Sequence, residues 1–234
     1  MEIKNKTAIV TGGGRGIGMA IAQALAEKGA NVVLAARTAS EINAAAKHIG
    51  KKAFAVKTDI TSEKSVKGLV SKTIAKFGAI DILINNAGTG FAKPILKTSA
   101  AEWDVAVDTN LKGTFLCSRI AAKEMIKRRN GAIINIASAA GTKGYANQAA
   151  YCASKHGVVG FSRVLALELK PYNIKVHTVC PGGVDTTLIN GIRPDIPKKD
   201  LMKPRDIADL VVFLLEQPQN AVIEEVTITR FVAK

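Results

Sequence analysis

The sequence predicts an α/β fold, a doubly wound parallel sheet of seven strands with helices on both faces, spanning residues 1–234 as a single domain. Three observations predict it. Short β-branched runs alternate with longer segments of helical spacing almost from end to end, the order that builds parallel strands joined by right-handed helical crossovers. Most of the short runs are continuously apolar rather than alternating, as strands covered on both faces require. No linker, low-complexity stretch or internal repeat interrupts the series.

Thr7–Val10 is the first strand, and Ile17, Ile21, Ala24 and Leu25 repeat at helical spacing directly after it. Asn31–Ala36, Ala53–Lys57 and Ile82–Ile84 supply the next three strands. Ser99-Ala100-Ala101-Glu102 has the form of a capping box, in which each side chain takes the other residue's free backbone N–H, ahead of a long amphipathic stretch toward Lys127. Ala132–Ala137 and Ile174–Val179 are the fifth and sixth strands, separated by a helical segment carrying Tyr151 and Lys155. Pro204 fits the opening of a helix over Arg205–Glu216, because a first-turn proline gives up an N–H that has no helical partner anyway. Val226–Thr229 closes the sheet.

A chain that is 47% hydrophobic and 22% charged has enough apolar material for a large core. No run approaches the ~20 apolar residues of a membrane helix, so a membrane partner is not expected. The opening MEIKNKTAIVTGGG lacks the apolar block and small-residue cleavage site of a secretory signal, and a cytoplasmic protein is expected. Cys117, Cys152 and Cys180 are odd in number, far apart and match no metal spacing, so they read as buried free thiols of a reducing compartment. His48, His156 and His177 have no carboxylate or cysteine at ligand spacing, and no metal site is expected. The formal net charge of +14 is the one unusual bulk property. Its basic residues are scattered, the longest run being Lys127-Arg128-Arg129, and no aromatics are interleaved to stack on nucleic-acid bases. A nucleic-acid partner is therefore not expected; its signature would be a steep salt dependence of duplex binding. The charge reads as solvated surface with a bias toward phosphorylated or acidic ligands.

Thr11-Gly12-Gly13-Gly14-Arg15-Gly16-Ile17-Gly18 lies at the junction of the first strand and helix. Glycines there let the chain turn tightly, let backbone approach a pyrophosphate and let helix pack on strand. The helix N-terminus adds free N–H groups and the positive end of its dipole. Strand, loop and helix in that order make a dinucleotide the expected ligand rather than a bare glycine turn. In sites that prefer NAD, an acid about 20 residues on bonds the ribose 2′-hydroxyl. The second strand here ends Leu34-Ala35-Ala36-Arg37-Thr38-Ala39-Ser40, without an acid. Arg37 offers a planar cation and Thr38 and Ser40 offer donors, all suited to a 2′-phosphate that Arg15 could also reach. The expected cofactor is NADP (NADPH) in preference to NAD.

Tyr151 and Lys155 stand four residues apart in a helical segment, hence on one face of it. A phenol with an ordinary pKa near ~10 is a poor acid–base group at neutral pH, and an adjacent ammonium favours the phenolate and should lower that value. Alone, such a pair is usually coincidence. It stands here with the glycine loop, Asp59-Ile60, Asn85-Asn86-Ala87-Gly88, Asn110, Ser138 and Pro181-Gly182-Gly183-Val184-Asp185-Thr186. In that order and at those spacings, nearly the whole chain resembles the short-chain dehydrogenase/reductase family.

The resemblance implies a Rossmann fold and an oxidoreductase that moves a hydride between NADP(H) and a carbonyl or secondary alcohol. It implies that Tyr151 protonates the carbonyl oxygen, or acts as base in reverse. Lys155 would hold the nicotinamide ribose and depress the tyrosine pKa. Ser138 would orient the substrate oxygen, and Asn110 would anchor a water linking Lys155 to solvent. Gly12, Gly14, Arg15, Gly16, Ile17 and Gly18 would form the phosphate cradle, with Arg37 and Thr38 at the 2′-phosphate. Asp59 and Ile60 would meet the adenine, Asn86, Ala87 and Gly88 would pack beside the cofactor, and Pro181, Gly182, Val184 and Thr186 would meet the nicotinamide amide and phosphates. The residues agree by another route. Ligands of doubly wound sheets bind outside the carboxyl ends of strands, and Gly12, Arg37, Asp59, Asn85, Ser138 and Pro181 each fall just past a separate predicted strand.

In this family the segment Thr187 to Met202 covers the substrate. Here it is short and mixes Leu188, Ile189 and Ile192 with Arg193, Lys198 and Lys199, which implies an open site. Such a site could take a thioester on an acidic acyl carrier protein or a range of small carbonyls. Much of the chain resembles 3-oxoacyl-acyl-carrier-protein reductases, and the basic charge would suit that carrier. Those reductases usually end in a Val-Asp-Gly-Gly-like segment, whereas Glu225-Val226-Thr227-Ile228-Thr229-Arg230-Phe231 is closer to reductases of broad carbonyl or hydroxy-acid specificity. A 3-oxoacyl thioester or broad carbonyl reductase is therefore expected. The alternatives are a dehydrogenase of small hydroxy acids or sugars, and a non-catalytic dinucleotide-binding regulator, against which the full set Asn110, Ser138, Tyr151 and Lys155 argues. The resemblance also implies a homotetramer, with Ser99–Lys127 and Ala149–Lys170 as interface candidates.

Overall fold

Strands that are apolar on both faces need helices on both faces, and a computed structural model, which describes residues 1–231, places them there. The strands are β1 (Thr7–Thr11), β2 (Asn31–Ala36), β3 (Ala53–Lys57), β4 (Ile82–Asn85), β5 (Gly131–Ile136), β6 (Ile174–Pro181) and β7 (Glu225–Ile228). All pair in parallel in one sheet of order β3-β2-β1-β4-β5-β6-β7. The predicted strands coincide with these to within a residue or two at their ends. The helices are α1 (Gly16–Glu27), α2 (Ala39–Ile49), α3 (Glu63–Phe77), α4 (Ala100–Val107), α5 (Gly113–Arg128), α6 (Ala149–Leu169), α7 (Thr187–Ile192) and α8 (Pro204–Leu215).

Successive strand residues point to opposite sides, so one sheet feeds two cores. Ala8, Val10, Val32, Leu34, Ile82 and Ile84 face Ile21 and Leu25 of α1, Ile42 of α2, and Ile207 and Val211 of α8. Ile9, Val33, Leu83 and Ile133 face Leu69 of α3, Leu116 and Met125 of α5, and Leu165 of α6. Each side chain of this size taken out of water contributes roughly 1.5–3 kcal/mol. β1, β4 and β5, in the middle of the sheet, are buried along their whole length.

The sequence signals for helix starts hold. Ser99 Oγ accepts from the Glu102 N–H at 3.2 Å, and a Glu102 carboxylate oxygen accepts from the Ser99 N–H at 2.8 Å, completing the capping box. Pro204 occupies the first turn of α8. The long stretch from Ser99 toward Lys127 is not one regular helix, however. Between α4 and α5 the chain makes a five-residue π turn, Asp108–Lys112. Such a turn admits one extra residue and rotates the helix beyond it, here turning Asn110 inward until it is 1% exposed.

Candidate active site

A single cleft of about 760 Å³ runs along the carboxyl ends of the strands, from Gly12 and Arg37 at one end to Tyr151, Leu188 and Ile192 at the other. Strand order sets the ends of β1, β4, β5 and β6 side by side beneath it, with Ser138 and Pro181 on its wall. Of the predicted site residues, all line the cleft except Gly18 and Asn110. Gly18 lies beneath it: a Cβ there would stand 2.3 Å from the Gly12 carbonyl oxygen, so only glycine lets α1 approach the loop this closely. Gly12 itself has φ +65°, in the left-handed region that glycine adopts without strain.

The loop is held in shape from below. Thr11 Oγ1 accepts from the N–H groups of Asn86 and Ala87 at 3.0 and 3.1 Å, and the Asn86 side-chain amide donates to the Thr11 carbonyl at 3.0 Å. Asn86 therefore fixes the loop as well as lining the cleft. Asn85 does not face the cleft as its place at a strand end implied. It ends β4 with its side chain turned into a buried network, donating to Ser118 Oγ and Asn135 Oδ1 at 2.8 Å each.

At the glycine end Arg37 is exposed and Asp59 lies close enough to feel its charge. The Asp59 carboxyl is held below its usual range first by the N–H of Thr61, with the Thr61 hydroxyl and Arg37 adding to the effect against an opposing burial. Arg15 is paired with Glu41 of α2 at 3.1 Å, a carboxylate on the cleft wall that the sequence did not single out. At the other end of this loop region, Thr186 packs its methyl group toward Gly16, and Gly182 donates to the Ile228 carbonyl of β7 at 2.8 Å.

Tyr151 is 8% exposed and Lys155 is buried beneath it, its Nζ 5.9 Å from the centre of the phenol ring. The ammonium donates to the Ile136 carbonyl at 2.9 Å. Burial pulls the Lys155 ammonium down to about 8. Burial also pushes the Tyr151 phenol up, against a downward pull from its hydrogen bond with Ser138. The expectation that the ammonium would hold the phenol low is thus corrected: burial among Ala140, Tyr145, Leu188 and Ile192 sets the direction, and the downward pull comes from Ser138. Asn110 reaches neither side chain directly. Its Oδ1 accepts from the Thr89 N–H at 2.8 Å, and its Nδ2 donates to the Thr89 carbonyl at 2.8 Å and to Ser154 Oγ at 2.9 Å. It still borders the lysine, because a Cβ on Gly88 would lie 3.0 Å from Asn110 Oδ1 and 3.6 Å from Lys155 Nζ.

Sequence reasoning missed Lys143, Tyr145, Gln148 and Arg230 on the cleft wall. Their only sequence signal is position, just past β5, just before α6 and just past β7. Among the described residues no group of three or more His, Cys, Asp or Glu comes together to hold a metal ion, and no helix is long and apolar enough to cross a membrane.

The arrangement can bind an extended dinucleotide from the glycine loop toward Tyr151 and present a phenol, a hydroxyl and an ammonium at its reactive end. A family described as short chain dehydrogenase matches residues 6–197. The 3-oxoacyl-[acyl-carrier-protein] reductase FabG of Vibrio cholerae is 35% identical over 231 residues, covering 95% of this chain and 94% of that protein. Among solved structures, levodione reductase superposes with a TM-score of 0.90 at 30% identity, over 97% of this chain and 96% of its own. A metagenomic short-chain oxidoreductase in complex with NADP superposes at 0.86 with 34% identity over the full length of both.

Proposed function

The chain belongs to the short-chain dehydrogenase/reductase family of NAD(P)-dependent oxidoreductases, and from that premise we propose that it reduces 3-oxoacyl thioesters and small ketones with NADPH. The observation that carries the reading is the convergence of Tyr151, Ser138 and Lys155 at one end of a cleft whose other end is the glycine loop. The hydride comes from the bound nicotinamide dinucleotide. Tyr151 gives its hydroxyl proton to the carbonyl oxygen as charge builds there, and Ser138 holds that oxygen in place by a hydrogen bond. Lys155 would hold the dinucleotide ribose and supply positive charge near the phenolate left behind, its Nζ being 5.9 Å from the ring centre. Asn110 is a positioning residue: it clamps Thr89 and Ser154 around that lysine.

The NADPH preference rests on Arg37 and Thr38, which follow β2 where sites that prefer NAD carry an acid; the nearby Glu41 carboxylate is paired with Arg15. Arg15 is a second reader of that phosphate, exchanging its exposed pair with Glu41 at little cost, since exposed pairs contribute roughly 0–1 kcal/mol. Asp59 and Ile60, both on the cleft wall, would meet the adenine. We assign the work to one domain and to a homotetramer. The resemblance to carrier-protein reductases makes an acyl carrier protein a second candidate donor of substrate.

The test is consumption of NADPH with an acetoacetyl thioester and with simple ketones, run beside NADH. Turnover that is faster with NADPH is the expected result. Tyr151→Phe should bind NADPH as the parent does and lose on the order of 10²–10⁴-fold in kcat. Equal use of NADH would overturn the role of Arg37, and full activity of the Tyr151→Phe protein would overturn the assigned chemistry.

A further inference from the structure

The adjacency of β5, β6 and β7 brings the segments beyond them to one end of the cleft: Lys143 beyond β5, Gly183 beyond β6 and Arg230 beyond β7. This end lies beside Tyr151 and Ile192, away from the phosphate cradle. Its floor is apolar, with Tyr145, Leu188 and Ile192 packed against the catalytic phenol. Its rim carries charge. Arg193 is already satisfied, its guanidinium gripping Asp195 through two bonds of 2.8 and 2.7 Å. Arg230 stands within reach of the same carboxylate's field but is not bonded to it.

Arg230 is half-buried, with its stem against the Gly183 turn, and among the described residues no carboxylate or hydrogen-bond acceptor partners it. Lys143, exposed at the opposite rim, has no ion pair among the described residues either. Gln148 is 5% exposed and lines the cleft, and its side-chain amide makes no hydrogen bond within the described residues. A partly desolvated guanidinium without a bonded counter-ion gains from an acceptor supplied from outside, and the Gln148 amide, which opens onto the cleft, is free to add a donor. A carboxylate serves both kinds of donor. Guanidinium binds it through two parallel bonds and an amide N–H adds a third.

We propose that the substrate is an oxo acid, whose carboxylate is received at the rim by Arg230, with Lys143 and Gln148 as further donors, while its ketone lies on the apolar floor at Tyr151 and Ser138. The inference rests on the reductase reading and replaces the thioester of that reading with a ketone that carries a free carboxylate. It also explains a division of labour in the cleft. The phosphate-reading cations Arg15 and Arg37 stand at one end and these donors at the other, so dinucleotide and substrate are drawn in by separate charges.

The experiment compares acetoacetate, levulinate and 5-oxohexanoate, each beside its neutral methyl ester, as substrates for the NADPH-loaded protein. At least one acid should exceed its ester about tenfold in kcat/KM, the loss expected when one charged hydrogen-bonding partner is removed. That preference should shrink with added salt. Arg230→Gln should lower the acid-to-ester ratio by a similar factor, through KM, and Arg230→Lys should restore part of it. Lys143→Gln should move the ratio in the same direction by less. Esters preferred over all three acids, or a ratio indifferent to Arg230→Gln, would sink the proposal. So would a weakened NADPH affinity in Arg230→Gln, which would assign that cation to the dinucleotide. Acetoacetyl-CoA preferred over a neutral acetoacetyl thioester, with no acid preferred, would place the anion on a carrier phosphate and overturn it equally. If no carbonyl compound is reduced at all, the reductase reading itself fails. Calorimetry of 3-hydroxybutyrate against its methyl ester on the NADP-loaded protein then decides the charge assignment alone: tighter binding of the acid supports it, and equal binding overturns it.

Discussion

Lys155 is buried at the Tyr151 end of the cleft, and burial holds its ammonium at about 8, well below the ordinary lysine value of 10.5. A group whose value is depressed by folding contributes stability that is present above its unfolded value and lost as pH falls through the folded one. Lys155 therefore weakens the fold progressively between about 10.5 and about 8, and no further below that. Lys155→Met, which has no charge to bury, should gain in melting temperature relative to the parent across that interval and hold a constant gain below it. A difference that does not change with pH would contradict the burial of the charge. That Tyr151, Lys155 and Ser138 share one end of the cleft was legible in the sequence because the first two share a helix face and Ser138 comes just after a strand, which are local facts. Gln148 and Arg230 were not, since the packing of α6 and β7 brings them to the same cleft, and those elements meet only in three dimensions. The direction of the Tyr151 shift was misjudged for a related reason. Spacing gives the neighbour but not the depth of burial.

Two elements carry the geometry of the site. The first is the glycine turn into α1. A methyl at Gly18 would lie within 2.3 Å of a backbone oxygen and 2.5 Å of the Asn86 amide, neither of which can swing aside cheaply. Gly18→Ala should cost roughly 1–3 kcal/mol in urea unfolding and weaken NADPH binding, because the displaced atoms belong to the loop proposed to cradle phosphate. A variant with parent stability and parent affinity would show that the turn is slack. The second is the π turn between α4 and α5, which sets Asn110 against Thr89 and Ser154. Strand runs and the capping box at Ser99 were readable because each signal is complete within a few residues. The π turn was not: one extra residue inside a long amphipathic stretch shifts the phase of the pattern by less than the width of its apolar stripe.

Over the whole molecule, α5 and α6 leave Phe115, Val164 and Leu167 exposed, the last by 71%. Large apolar side chains clustered on neighbouring helices are the surface that a second copy of the chain covers in the proposed tetramer. A charge placed there should break the assembly, so Leu167→Asp should sediment as a smaller species than the parent while keeping its circular dichroism. An unaltered sedimentation coefficient would move the interface elsewhere. The number and parallel direction of the strands could be read from the alternation of short and long segments. Their lateral order could not be read from the residues themselves, since it depends on the crossover between β3 and β4, which passes over β2 and β1 to reach the opposite edge.

That crossover also has a consequence for the chain as it leaves the ribosome. β2 and then β3 add outward from β1 on one side, and β4 to β7 add outward on the other, so every new strand docks on an edge already present and none must be inserted between two others. Growth is vectorial, with one exposed interval. Until residues 82–85 emerge, the nascent chain presents the open edge of β1, a strand buried throughout in the finished protein. An unpaired apolar edge is a template for pairing with another chain. The moment of greatest risk in synthesis is therefore the passage of α3, the helix that carries the chain back across the sheet to close it.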